Sequence, residues 1–164
     1  MKISQKIFTS LLLLLFIPGC ISNLFKEPKP TFSTDILLPA LPIDYQKLDD
    51  NVYPAWKHKD TGNVISVISD CNAGHFTLKS IHSLMSDSLD SFKIAEEKNI
   101  SIANHKSYYK KINGQIEDKI VEIQSYSLAD KKCLFVVSLA GKPEKLSQNQ
   151  VDFKNFIQKI EFKK

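Results

Sequence analysis

Residues 106–140 read KSYYKKINGQIEDKIVEIQSYSLADKKCLFVVSLA. Val, Ile, Tyr and Phe are dense here and alternate with polar residues through much of the run, which is the period of a strand rather than of a helix. Asn113-Gly114 separates Lys106–Ile112 from Gln115–Leu128. An Asn-Gly pair between two such runs predicts a tight hairpin with both central residues at positive φ. After Ala129-Asp130, the segment Lys132–Ala140 is almost continuously apolar, as expected of a strand covered on both faces. The centre of the fold is therefore an antiparallel meander.

Moving toward the N-terminus, Lys93–Ile102 reads as one strand or a bent pair. Before it, Leu78, Ile81, His82, Met85, Leu89 and Phe92 fall at steps of three and four, which predicts a helix over about Thr77–Leu89 with one apolar face. Val52–Lys59 and Asn63–Ser69 form a further hairpin around Asp60-Thr61-Gly62, and Asp44–Leu48 is a short strand. Toward the C-terminus, Leu146, Phe153, Phe156, Ile157 and Ile160 mark a second amphipathic helix over about Pro143–Lys159, and Glu161-Phe162 closes with a strand. Each element has an apolar face to bury, so the expected fold class is α+β, an antiparallel β-sheet flanked by helices.

This order resembles the PsbP-like α/β/α sandwich family over residues 44–164, on Trp56, the strand Ile65–Cys71 and the terminal segment Phe153–Phe162. The resemblance implies a compact sandwich. The family includes extrinsic photosystem II subunits, relatives that bind a nuclear transport GTPase, and many bacterial lipoproteins. Its metal- and partner-binding residues have no matching motif here, so none is carried over.

The first 43 residues are of another kind. Lys2 and Lys6 precede an uncharged apolar run, Ile7–Ile17, and then Pro18-Gly19-Cys20. That is the layout of a secretory signal, and about 11 apolar residues fall short of the roughly 20 needed to span a bilayer. Ile17-Pro18-Gly19-Cys20 resembles the bacterial lipobox, which implies cleavage before Cys20 and acylation of that cysteine. Two or three acyl chains at about 0.8 kcal/mol per buried methylene hold a protein at a membrane stably. Ile21, where an aspartate would signal inner-membrane retention in enterobacterial lipoproteins, favours the outer membrane, with the domain facing the periplasm or cell surface. Residues 1–19 are thus expected to be a signal peptide. Residues 20–43, with prolines at 28, 30, 39 and 42, are expected to be a lipidated tether, its apolar patch Ile36-Leu37-Leu38 being able to dock on the domain and leaving the boundary open. Twenty such residues reach roughly 70 Å when extended.

Composition narrows function. Removing Lys2 and Lys6 lowers the net charge from +4 to +2, and every positive residue is lysine. With no arginine to make bidentate forks on phosphate or guanine, a nucleic-acid partner is not expected. Cys71 and Cys133 remain after Cys20 is acylated, and an even pair in an oxidising compartment predicts a disulfide.

Cys71-x3-His75 with Cys133 and His58 has a zinc-like spacing but lacks a second close pair, so no metal is expected. His82 reads as a satisfied, partly buried histidine, and His105 as a turn residue. Lys110-Lys111 and Lys131-Lys132 read as solvated strand ends or turns, and Asp87 and Asp90 as a solvated helix face. Trp56, Tyr108, Tyr109 and Tyr126 read mostly as core or sheet-surface residues. No catalytic motif and no cofactor site is present, and Ser80, His82 and Asp87 are the only scattered residues a hydrolase reading has to draw on. The expected function is a non-enzymatic envelope lipoprotein that binds another protein or helps assemble a complex. The alternative is a small-ligand or lipid carrier with a pocket between sheet and helix.

Overall fold

The computed structural model describes residues 32–163 apart from 50, 73, 75, 103 and 132. The signal peptide, Cys20 and His75 lie outside the described residues. Seven strands make one antiparallel sheet in the order β2-β3-β4-β8-β7-β6-β5. They are β2 (Tyr45–Lys47), β3 (Ala55–His58), β4 (Val64–Asp70), β5 (Ser91–Ile102), β6 (His105–Ile116), β7 (Lys119–Asp130) and β8 (Cys133–Gly141). A separate two-stranded ladder pairs β1 (Ile36–Leu37) with β9 (Glu161–Phe162). Phe32, Leu38 and Leu41 pack against the main core beside the buried Ile36. The packing thus begins N-terminal of Asp44, within the stretch read as tether, because Ile36 supplies a side chain that β9 and the core bury.

The central meander is present, but the turn is not at Asn113-Gly114. Strand β6 runs straight through that pair, with Gly114 opposite Val121, and the chain reverses at Glu117-Asp118, whose φ values are 47° and 64°. Both central residues at positive φ is the twist-matched geometry of a two-residue hairpin. Gly114 is required for closeness instead: a Cβ there would lie 2.7 Å from Leu89 Cδ1 and 3.0 Å from the Ser91 carbonyl. Strands β5 and β6, like β7 and β8, are also joined by two residues, with Asn104 (68°) and Lys131 (48°) at positive φ.

The predicted helix over 77–89 is much shorter. A 3₁₀ turn, Ser80–His82, leads into α1, Ser83–Ser86. Serine hydroxyls compete for the local backbone: Ser86 donates to the Ser83 carbonyl at 3.1 Å and Ser88 to that of Met85 at 3.4 Å, while the Thr77 amide donates to Ser80 Oγ at 2.8 Å. Such bonds favour turns over a continuing helix. Ile81, His82 and Met85 are buried, whereas Phe92 belongs to β5 and is half exposed. The C-terminal helix is present in pieces: α2 (Pro143–Leu146), a 3₁₀ turn (Ser147–Asn149) and α3 (Gln150–Gln158).

These segments cover opposite faces of β4 and β8. Phe153, Phe156 and Ile157 of α3 join Ile65, Val67, Phe135, Val137 and Leu139 in the main core. On the other face Ile81 and Met85 pack on Val136. Among the described residues neither face of the sheet has a second long helix, and the fold is mainly sheet. Strand β5 is the exception to burial. Its first nine residues are exposed, and only Ile100 and Ile102 are half-buried.

Candidate functional site

On the α3 side, Tyr126 of β7, Ile102 of β5 and Ile157 of α3 enclose an open cleft of about 270 Å³, rimmed by Ser101, Lys154 and Gln158. That is close to the lower end of small-molecule sites. Strand alternation brings Tyr126 to this face. It packs against Phe153 at 5.7 Å and Tyr109 at 4.9 Å between ring centroids. Burial pushes its phenol pKa up; the Lys98 charge pulls against that and Glu96 adds to it. Lys98 lies 5.4 Å over the Tyr109 ring. Lys154 stands at the rim in no ion pair with the described residues. The arrangement offers an apolar floor, the Gln158 amide and one lysine that makes no ion pair with the described residues.

The cleft adjoins the free edge of β5. Strand β5 pairs only with β6, and among the described residues no backbone bond from another segment reaches its outer side.

A second arrangement lies on the opposite face. Cross-strand register aligns Ser66, Ser138, Ser125, Lys110 and Glu97 in one row over five strands. His82 sits over it, fully buried, with Nδ1 2.7 Å from Ser125 Oγ. The Ser125 hydroxyl also lies 3.2 Å from the Lys110 carbonyl, so one serine links the imidazole to the β6 backbone. Nε2 is buried and has no partner within hydrogen-bond distance among the described residues. Burial, reinforced by the Lys110 charge, holds the His82 pKa down at about 4 against the pull of the Tyr108 backbone and Glu97. A neutral ring sealed from solvent fits a structural part better than proton transfer to an outside substrate.

Ser80 is exposed and bonded within its own turn, and Asp87 is exposed, so the hydrolase candidates Ser80, His82 and Asp87 form no relay. His82 is buried yet only half satisfied. Asp90 is not merely solvated: its carboxylate accepts from the Glu117 amide at 2.8 Å and anchors the β6–β7 turn. Lys110 and Lys111 are mid-strand and half-buried rather than at strand ends, and Lys111 bridges Glu122 at 2.9 Å. His58 is also half-buried, and its Nδ1 accepts the amides of Asp60 and Thr61, closing the β3–β4 turn. Tyr108 and Tyr109 are buried, and Trp56 meets Phe156 edge to face at 5.7 Å.

Cys71 and Cys133 form a disulfide, with Cα atoms 4.0 Å apart, where β4 ends and β8 begins. Neither offers a thiolate to a metal. A third polar cluster binds the β3–β4 hairpin to the C-terminal helices: Asn63 Nδ2 donates to Asn149 Oδ1 (2.7 Å) and to the Lys145 carbonyl (2.9 Å), and Thr61 donates to Asn149 Oδ1 (2.8 Å).

Sequence reasoning missed the cleft, the serine row and this amide cluster. Serines at 66, 125, 127 and 138, each inside an apolar run, were the signal for the second; the other two join residues far apart in the chain and left none.

No protein-family model matches the chain, and no curated protein matches it in sequence. Solved structures do match in shape. CyanoP, the cyanobacterial PsbP of Synechocystis sp. PCC 6803, is 8% identical with a TM-score of 0.56, over 84% of this chain and 98% of that one. LpqN of Mycobacterium tuberculosis, involved in cell envelope biogenesis, is 13% identical with a TM-score of 0.53, over 79% and 83%. PA94 of Pseudomonas aeruginosa, of unknown function, is 16% identical with a TM-score of 0.51, over 81% and 86%. At these identities the likeness concerns the fold alone, and that fold is PsbP-like. Among the described residues no helix is long and apolar enough to cross a membrane.

Proposed function

We propose that this chain is a non-enzymatic, protein-binding module of the bacterial cell envelope, held at a membrane by acyl chains on Cys20. The observation that carries the protein-binding reading is β5: a twelve-residue edge strand exposed over most of its length, beside a cleft whose Lys154 makes no ion pair with the described residues. Ordinary domains shorten or cover such an edge because its free N–H and C=O groups template another strand. Placement in the envelope is supported by the N-terminal sequence and by the fold shared with LpqN. In intact cells, a photo-crosslinking amino acid at Lys98 should give one discrete adduct, while the same group at the exposed Val151 of α3 should not. Equal or absent adducts at both positions would defeat the reading. Separately, Cys20→Ser should shift the chain from the membrane to the soluble fraction.

The cleft also favours a second reading, a carrier of a small amphiphile lodged between sheet and helix. Native mass spectrometry of the purified chain would then show a bound mass that Tyr126→Trp, by filling the cleft, removes.

A further inference from the structure

The two halves of β5 are unlike. Residues 91–98 carry the devices that keep a sheet edge from pairing: a register shift between Ile94 and Glu96, and the charges Lys93, Glu96, Glu97 and Lys98. Residues 99–102, Asn-Ile-Ser-Ile, carry no charge, no proline and no bulge, and keep regular register with β6 from Asn99↔Tyr108 to Ile102↔His105. The opposite edge of the sheet, β2, is only three residues long and so is protected by brevity. Among the described residues, the unguarded stretch of this sheet's edges is thus Asn99–Ile102.

That stretch forms one wall of the cleft. Ile102 presents its side chain to the Tyr126 face, and Ser101 borders the cleft beside it, with Ile157, Lys154 and Gln158 opposite. A strand added to β5 would run about 4.8 Å outside it and set every second side chain on this face. A leucine-sized side chain from there leans over Ile102 into the apolar floor. Lys154, with no ion pair among the described residues, then meets whatever charge the incoming chain carries. Main-chain bonds supply affinity and the pocket supplies selectivity, the usual division in strand addition.

We infer that Asn99–Ile102 and the cleft together form a strand-addition site for an extended segment of a partner protein. That segment presents an apolar side chain to Tyr126 and Ile157 and a carboxylate to Lys154. The inference rests on the protein-binding reading above and names its site and chemistry.

The test uses the full-length chain in detergent and a library of random heptapeptides with free C-termini. Selected peptides should alternate apolar residues and carry an acidic side chain or depend on the terminal carboxylate; amidating that terminus tells the two sources apart. Successive N–H groups of a strand point to alternate sides, so one of Ile100→Pro and Ser101→Pro removes an outward donor and spares the β6 ladder. The variant that keeps the wild-type Tm should weaken peptide binding at least tenfold. Lys154→Glu should weaken acidic peptides at least fivefold and restore binding when the peptide's carboxylate is replaced by a lysine. The inference is overturned if no peptide enriches, if binding ignores both the Tm-neutral proline and Lys154→Glu, or if sedimentation shows a dimer that the same proline dissolves, since a second copy would then occupy the edge. A cellular adduct at Lys98 that survives these variants would refute this site while leaving the protein-binding reading standing.

Discussion

Strands β8 and β5 belong to one sheet and could hardly be treated more differently by the rest of the chain. Phe135, Val136, Val137 and Leu139 of β8 are wholly buried, with α3 on one face and the 80–86 segment on the other. In β5, Phe92 and Ile94 remain 50% and 41% exposed. The difference teaches that length alone does not bury a strand: β5 is longer than β8 but far more polar, and it is the one left exposed. Cover follows the same division: the two helical segments lie on both faces of β8, whereas α3 meets β5 at Ile102 and leaves most of that strand open. One part of the sheet holds the fold together and the other projects.

The contrast can be broken by mutation. Phe135→Ala should cost about 3–5 kcal/mol, the usual range for a fully buried phenylalanine, in the urea midpoint of the soluble domain. Replacing both Cys71 and Cys133 by alanine should cost a similar or slightly smaller amount, about 4 kcal/mol for a closed loop of this length. Treating the wild type with reductant should reproduce it.

Acid should loosen the 80–86 cover. The His82 pKa is about 4 in the folded chain and near 6.5 in the unfolded one, so the unfolded state takes up the proton first. Stability is complete above about pH 6.5 and falls as the pH drops toward 4, by roughly 3 kcal/mol at the lower end. His82→Gln should flatten that part of the profile, and an unchanged slope would show that the loss arises elsewhere.

Gly141 sharpens the comparison within β8, because a Cβ there would overlap Asn63 Oδ1. Gly141→Ala should cost about 2 kcal/mol, within the overpacking range. The smallest effect belongs to the projecting half: Phe92→Ala should change the midpoint by less than about 0.5 kcal/mol. A larger loss would mean that β5 contributes to stability as β8 does.

Much of this division was legible in the residues themselves. The continuous CLFVVSLA run announced a strand buried on both faces, whereas the reading of Lys93–Ile102 as a strand or bent pair carried no word on its exposure. Phe153, Phe156 and Ile157 fell at helical spacing and do pack on the sheet. Asn113-Gly114 misled because glycine serves close approach as readily as it serves a turn, and only the position of Leu89 tells which. The helix over 77–89 was overextended because a stripe of apolar residues shows which side is buried, not how far the backbone bonds continue past Ser83, Ser86 and Ser88. The cleft was illegible for a different reason. Ile102, Tyr126 and Ile157 lie on separate elements, and Lys154 becomes notable only once the described residues around it are seen to hold no carboxylate paired with it.

Three connections of two residues each, between β5 and β6, β6 and β7, and β7 and β8, have a consequence for how the molecule assembles. Those four strands find their neighbours close by in the chain, with little entropy lost in closing each turn, whereas β4 meets β8 only across more than 60 intervening positions. Zipping is therefore expected to start in the meander and reach β4 last, so the newborn chain displays its outermost strand before its centre has been roofed.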